Sequence, residues 1–235
     1  MLCAVAPDST PTADSTRPLE HRYGVVLGLT ILAVLFSILA PDTPIGRGIS
    51  VLLQSTMLLA VIATSRENHA ARDARAALVF LALVSLAVLV LLSVVPGWVG
   101  AAGTAAAVLV VLVSLTRGIV RLVRERGVTL QAVAGALTTY LLLGLLFALV
   151  VRVLVGIAPH QYFEQVSKSA VSQSQEIYFS FTTLTTTGYG DLTPALSVGR
   201  ALSVLEMLIG QIYLVTVIGL LVGNLRRASA QTPEA

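Results

Sequence analysis

Cysteine occurs once, at Cys3, and lysine once, at Lys168. A single thiol excludes an intrachain disulfide and a cysteine-built metal site. Charge is also scarce. Asp, Glu, Lys and Arg make up 11% of the 235 residues, against about 25% in an ordinary soluble domain. No grouping of His, Asp and Glu has metal-site spacing, and His160 reads as a solvated loop residue. No nucleophile lies beside a general base, so the pattern argues against an enzyme and calls for no cofactor. What is present is hydrocarbon: 56% of the residues are hydrophobic and the mean hydropathy is +0.88. Such a chain cannot cover itself with polar surface, and its natural solvent is the lipid bilayer. The net charge of +3 falls in short stretches between apolar runs. That placement suits membrane orientation and not a nucleic-acid footprint.

A helix needs about 20 mostly apolar residues to cross the hydrocarbon layer. Six segments approach this: Tyr23 to Ala40, Ile49 to Ser65, Ala76 to Val95, Trp98 to Thr116, Val133 to Ile157 and Ala201 to Val222. Arginine sets their direction. Arg66, Arg72 and Arg75 follow the second segment, Arg117, Arg121, Arg124 and Arg126 the fourth, and Arg226 and Arg227 the last. The positive-inside rule then puts both termini in the cytoplasm of a multi-pass plasma-membrane protein. The expected fold is all-α, laid out as a cytoplasmic tail over 1–22, a four-helix peripheral membrane domain over 23–116, a cytoplasmic linker helix over 117–132, a pore domain over 133–224 and a tail over 225–235.

The stretch Ile177 to Thr187 is apolar and hydroxyl-rich but too short to span. Ser172 and Gln175 ahead of it have capping-box spacing, which predicts a short helix that enters the membrane and returns. Irregular backbone at that depth is tolerated only inside protein or beside a water-filled cavity. The stretch ends in Thr185-Thr186-Thr187-Gly188-Tyr189-Gly190-Asp191. This resembles the signature filter of the potassium channel family, usually Thr-Val-Gly-Tyr-Gly followed by Asp, with Thr187 in place of Val. That filter is the best-known case of ion selectivity by backbone carbonyls.

The resemblance implies that carbonyls of Thr186, Thr187, Gly188 and Tyr189 replace the hydration shell of K+, with the Thr186 hydroxyl closing the innermost site. Gly188 and Gly190 supply backbone conformations closed to other residues. Asp191 fixes the outer end, and Tyr189 braces the filter against the short helix, helped by Tyr178 and Phe179 where the family often has a Trp pair. Each chain carries one filter, so the implied assembly is a homotetramer in the bilayer with K+ as the permeant ion. Gly199-Arg200 opens the last helix as in simple bacterial potassium channels, and Gly210 falls where the family often places a hinge glycine. Gly219 is a second candidate hinge. In some bacterial channels a Glu of the short helix pairs with the Asp after the filter, but here that position is Thr182, and Asp191 needs another partner.

Two further residues follow from their place in the membrane. Glu206 lies inside the last helix, where an ionisable side chain is expensive unless paired, and bonding to the back of the short helix is its expected role. Arg152, near the outer end of the fifth helix, is expected to snorkel beside Glu164. The fourth helix has no arginine between Trp98 and Thr116, so voltage dependence is expected to be weak or absent. The rivals are a nonselective cation channel, a transporter subunit with a filter-like loop, and a non-conducting membrane scaffold.

Overall fold

The computed structural model describes residues 22–39, 97–158, 160–167 and 170–230, together with the single positions 43, 49, 53 and 56. The two expected tails over 1–22 and 225–235 lie wholly or partly outside the described residues. So do the second and third expected spans.

Helix α1 (Arg22–Leu39) buries Val26, Thr30, Ala33, Val34 and Ser37 along one stripe. Their spacing of three and four residues is that of a single helical face. Thr30 stays neutral to the helix by donating its hydroxyl to the Val26 carbonyl, 2.8 Å away. The other face presents Val25, Leu32, Leu35 and Leu39. Helix α2 (Gly97–Arg126) repeats the pattern with Ala101, Thr104, Val108, Val111, Leu115 and Ile119.

The expected linker helix over 117–132 is not a separate element. Residues 117–126 continue α2 without a break. Arginines end an apolar run but not a helix, since their straight chains are good helix formers. The stop comes at Gly127, which adopts φ 73° and donates its N–H to the Val123 carbonyl at 3.0 Å, a left-handed helix end. Thr129 then caps helix α3 (Leu130–Ile157) by accepting the Ala132 N–H. The pair runs antiparallel. Trp98, at the start of α2, lies against Gly156, near the end of α3, so closely that a Cβ on Gly156 would overlap the Trp98 side chain.

A loop leads to helix α4 (Gln173–Leu184), the short helix expected from sequence. Its capping box is complete: the Ser172 hydroxyl accepts the Gln175 N–H, and the Gln175 side chain accepts the Ser172 N–H. The last helix runs in three parts: α5 (Ser197–Ile212), a π-helical turn at Tyr213–Ile218, and α6 (Gly219–Ala230).

Among the described residues, three helices are long and apolar enough to cross a membrane: Trp98–Arg124, Leu130–Ile157 and Ser197–Asn224, with Gly24–Leu39 a shorter apolar helix. The main core joins α1, α2, α3 and α4 through Val26, Val34, Val108, Leu115, Leu142 and Ile177. The first helix therefore leans directly on α3 and on the short helix α4.

Candidate functional site

The site begins with an accounting problem. The last four carbonyls of a helix have no partner within it, and α4 points its last four at the Thr-Thr-Thr-Gly-Tyr-Gly segment. Phe181 O accepts the Thr185 N–H at 3.0 Å and the Thr185 hydroxyl at 2.7 Å. Thr182 O accepts from the N–H of Thr187 (2.8 Å) and of Gly188 (3.1 Å), and Thr183 O from that of Thr186 (2.9 Å). Leu184 O accepts the hydroxyl of Tyr140, from α3, at 3.3 Å. All four orphans are thus satisfied, three of them by the segment itself.

The N–H groups of residues 185–188 consequently face the end of α4. A trans peptide holds its C=O opposite its N–H, so the carbonyls of the same peptides face away from it. The backbone angles continue this trend. Thr186 (φ 59°), Gly188 (φ 51°) and Gly190 (φ 80°) are left-handed, while Thr187 and Tyr189 between them are not. In a β-strand successive carbonyls point to opposite sides. Alternating hand instead gathers the N–H groups on one side, and planarity then gathers the carbonyls on the other. Glycine adopts these angles freely at 188 and 190. A β-branched Thr186 does not, and its conformation costs on the order of 1–2 kcal/mol. Strain of this kind is typical of ligand clamps. Residues 185–190 are all exposed in the single chain.

Side chains brace the segment from one flank. The rings of Tyr178 and Tyr189 stack with centroids 6.3 Å apart and planes within 5°. The Tyr178 side chain also hydrogen-bonds Asp191. Asp191 in addition accepts the Leu192 N–H at 3.1 Å. The partner that Asp191 needed in place of a glutamate is therefore Tyr178. Thr182 contributes through its main chain, and its hydroxyl turns back to Phe179 O at 3.0 Å. Thr187 places its hydroxyl 2.9 Å from that of Thr185, a link that a valine could not make.

Phe179 was expected beside Tyr178 as a second brace. It faces the opposite way, edge-on to Phe163 at 5.0 Å, in a cluster with Val151, Val155 and Tyr162. Adjacent positions on a helix lie about 100° apart, so only one of the pair can meet the Thr-Thr-Thr-Gly-Tyr-Gly segment. Arg152 also departs from expectation. It lies 3.7 Å from Glu176 and donates to Gln173 at 3.1 Å, pinning the first turn of α4 to α3. Glu164 pairs instead with Arg200 at 2.9 Å. The loop before α4 is stitched to the segment after Asp191 by Glu164 N–H to Thr193 O and by Ala195 N–H to Tyr162 O.

Glu206 is fully buried, and its carboxyl meets the Ser180 hydroxyl of α4 at 2.5 Å. Ser180 also lies 2.8 Å from Gly144 O, so α3, α4 and α5 converge there. The residue of the short helix that Glu206 meets is Ser180. Gly210 packs against Leu184, where a Cβ would overlap the Leu184 carbonyl oxygen. Gly219 is exposed, with nothing closer to a would-be Cβ than Leu214 O at 3.9 Å. Ser180, Tyr140 and Tyr213 were missed from sequence. For the two tyrosines the available signal was a polar-tipped ring within an apolar span.

Residues 135–227 match a protein-family model described as an ion channel. No curated protein and no solved structure matches the chain.

Proposed function

We propose that the chain is one subunit of a homotetrameric, potassium-selective channel of the plasma membrane with cytoplasmic termini, a reading supported by the match of residues 135–227 to an ion-channel family model. The observation that carries this reading is the alternation of backbone hand at 186, 188 and 190. It gathers consecutive carbonyls on one side, where four copies around an axis would form stacked rings of oxygen. Such rings offset the dehydration of a K+ ion. Thr186, Thr187, Gly188 and Tyr189 hold the ions, and Gly190 and Asp191 finish the outer end. K+ passes in single file without coupled chemistry.

Two features support assembly around an axis. In an apolar 18-residue stretch of Ser197–Asn224 only 17% is buried within one chain, against 44% in the corresponding stretch of Leu130–Ile157. Tyr189 is 72% exposed although Tyr178 covers one of its faces. Neighbouring copies would cover both.

Purified protein in sealed vesicles tests the proposal. K+-loaded vesicles should take up tracer K+ or Rb+ and exclude Na+ in the same gradient. Equal entry of Na+ would make the protein a nonselective cation channel, and no entry of either ion with intact tetramers would make it a scaffold.

A further inference from the structure

Three of the four terminal carbonyls of α4 are held by the filter's own N–H groups. The fourth, Leu184 O, sits one residue before the segment and is held from outside by Tyr140. Gly210 leaves the opening through which α5 reaches the same carbonyl. Tyr140 is in turn backed by Tyr213, with ring centroids 6.0 Å apart and planes at 27°. Tyr213 donates its hydroxyl to Ala136 O at 2.8 Å, on the turn of α3 that carries Tyr140, and it also bonds the Thr139 side chain.

Tyr213 is the first residue of the π-helical turn. In this turn Thr216 also bonds back to Ile212 O, a side-chain bond of the type that bends helices. π-turns are rare and concentrate at functional sites.

From these contacts we infer that Tyr140 and Tyr213 are positioning residues, a strut that fixes the base of the filter to the last helix at its π-turn. The inference rests on the pore reading above and deepens it. Tyr140 holds the one carbonyl of α4 that the filter cannot hold for itself. Tyr213 holds the Tyr140 ring in place and carries the attachment to the last helix. Neither residue touches a permeant ion. Their effect passes through Leu184 to the peptides of Thr185 and Thr186. Ser180 and Glu206 hold α4 further from the filter, on its buried side, and leave Leu184 O to the tyrosines.

The test uses Tyr140→Phe, Tyr213→Phe and the double variant of the full chain, each purified as the intact assembly and reconstituted in vesicles. Phenylalanine keeps both rings and removes only the hydroxyls. Tyr140→Phe should lower the K+ to Na+ flux ratio by about 5-fold, the scale of one lost hydrogen bond, without changing the mass of the assembly. Tyr213→Phe should move the ratio in the same direction by less, and the double variant should match Tyr140→Phe, because Tyr213 acts through Tyr140. A wild-type ratio in Tyr140→Phe, or a double variant equal to the product of the two singles, overturns the inference. Hydrogen exchange in Tyr213→Phe gives a second readout should Tyr140→Phe fail to assemble. Faster exchange of the amides of Thr185 to Gly188 is expected, and unchanged exchange overturns the strut. That measurement requires no ion flux, so it separates failure of the strut from failure of the pore reading, which a wild-type protein without K+ preference would reveal.

Discussion

Gly210 and Gly219 are alike in sequence context and opposite in surroundings. A methyl group at 210 would meet the main chain of Leu184, which has little room to move because Tyr140 holds the same carbonyl. Overpacking of this kind costs about 1–3 kcal/mol. At 219 the space is open, and alanine in a helix gains about 0.5–1 kcal/mol over glycine. Gly210→Ala should therefore lower the thermal midpoint of the detergent-solubilised assembly, while Gly219→Ala should leave it unchanged or raise it. Equal midpoints for the two would show that the Leu184 contact is relieved in the assembly. Spacing from the filter made Gly210 legible in the sequence, but its neighbour was not. A small residue is required as firmly by a close approach as by a bend, and the sequence does not tell them apart. The tyrosine strut was less legible still. Tyr140 meets a carbonyl 44 residues away and Tyr213 one 77 residues away, and no local pattern encodes either distance.

Local signals did locate the short helix. Its capping box needs only Ser172 and Gln175, three positions apart, and a run too short to span told the rest. The end of α2 was misplaced for the opposite reason: hydropathy falls at Arg117, whereas the backbone stops at Gly127. Hydropathy reports the solvent, and a helix can pass from lipid to water without breaking. Ion pairs were found in the right region with the wrong partners, because Arg152, Glu164, Glu176 and Arg200 crowd one end of the bundle and composition cannot sort them. Of the two pairs that form, Arg152–Glu176 is the better buried and Arg200–Glu164 is open to solvent. The exposed pair contributes at most about 1 kcal/mol. Within α2, no charged side chain occurs from Trp98 to Thr116, and Arg117 and Arg124 lie exposed beyond it. Work done by a membrane potential requires charge that moves through the field. Conductance measured from strongly negative to strongly positive potentials should accordingly stay flat, and a steep rise carrying several elementary charges would contradict it.

At the scale of the molecule, the proposed function makes the Thr-Thr-Thr-Gly-Tyr-Gly segment one quarter of a ring. If four copies contribute equally, one defective copy spoils the whole. Gly188→Ala supplies the defect, since alanine at φ 51° is strained. Chains mixed in equal amounts before assembly should retain about one-sixteenth of the wild-type flux, the fraction of tetramers with four intact filters. Retention of half would mean that each chain conducts alone. How α1 and α2 meet α3 and α4 was hidden from sequence. The expected peripheral domain over 23–116 implied separation, yet α1 and α2 share a core with α3 and α4. Apolar faces are legible one at a time, but which faces meet is not.

The three residues Gly127 to Thr129 have a further consequence. They reach at most about 10–11 Å when fully extended, and both ends are fastened, Gly127 to Val123 and Thr129 to Ala132. A join that short has no slack to act as a lever. α2 cannot slide by one helical turn, about 5.4 Å, without dragging α3 along. An axial displacement of α2 therefore passes straight to α3, while α1 bears on the same bundle from the side, through Val26 and Val34 in the cluster with Leu142 and Ile177.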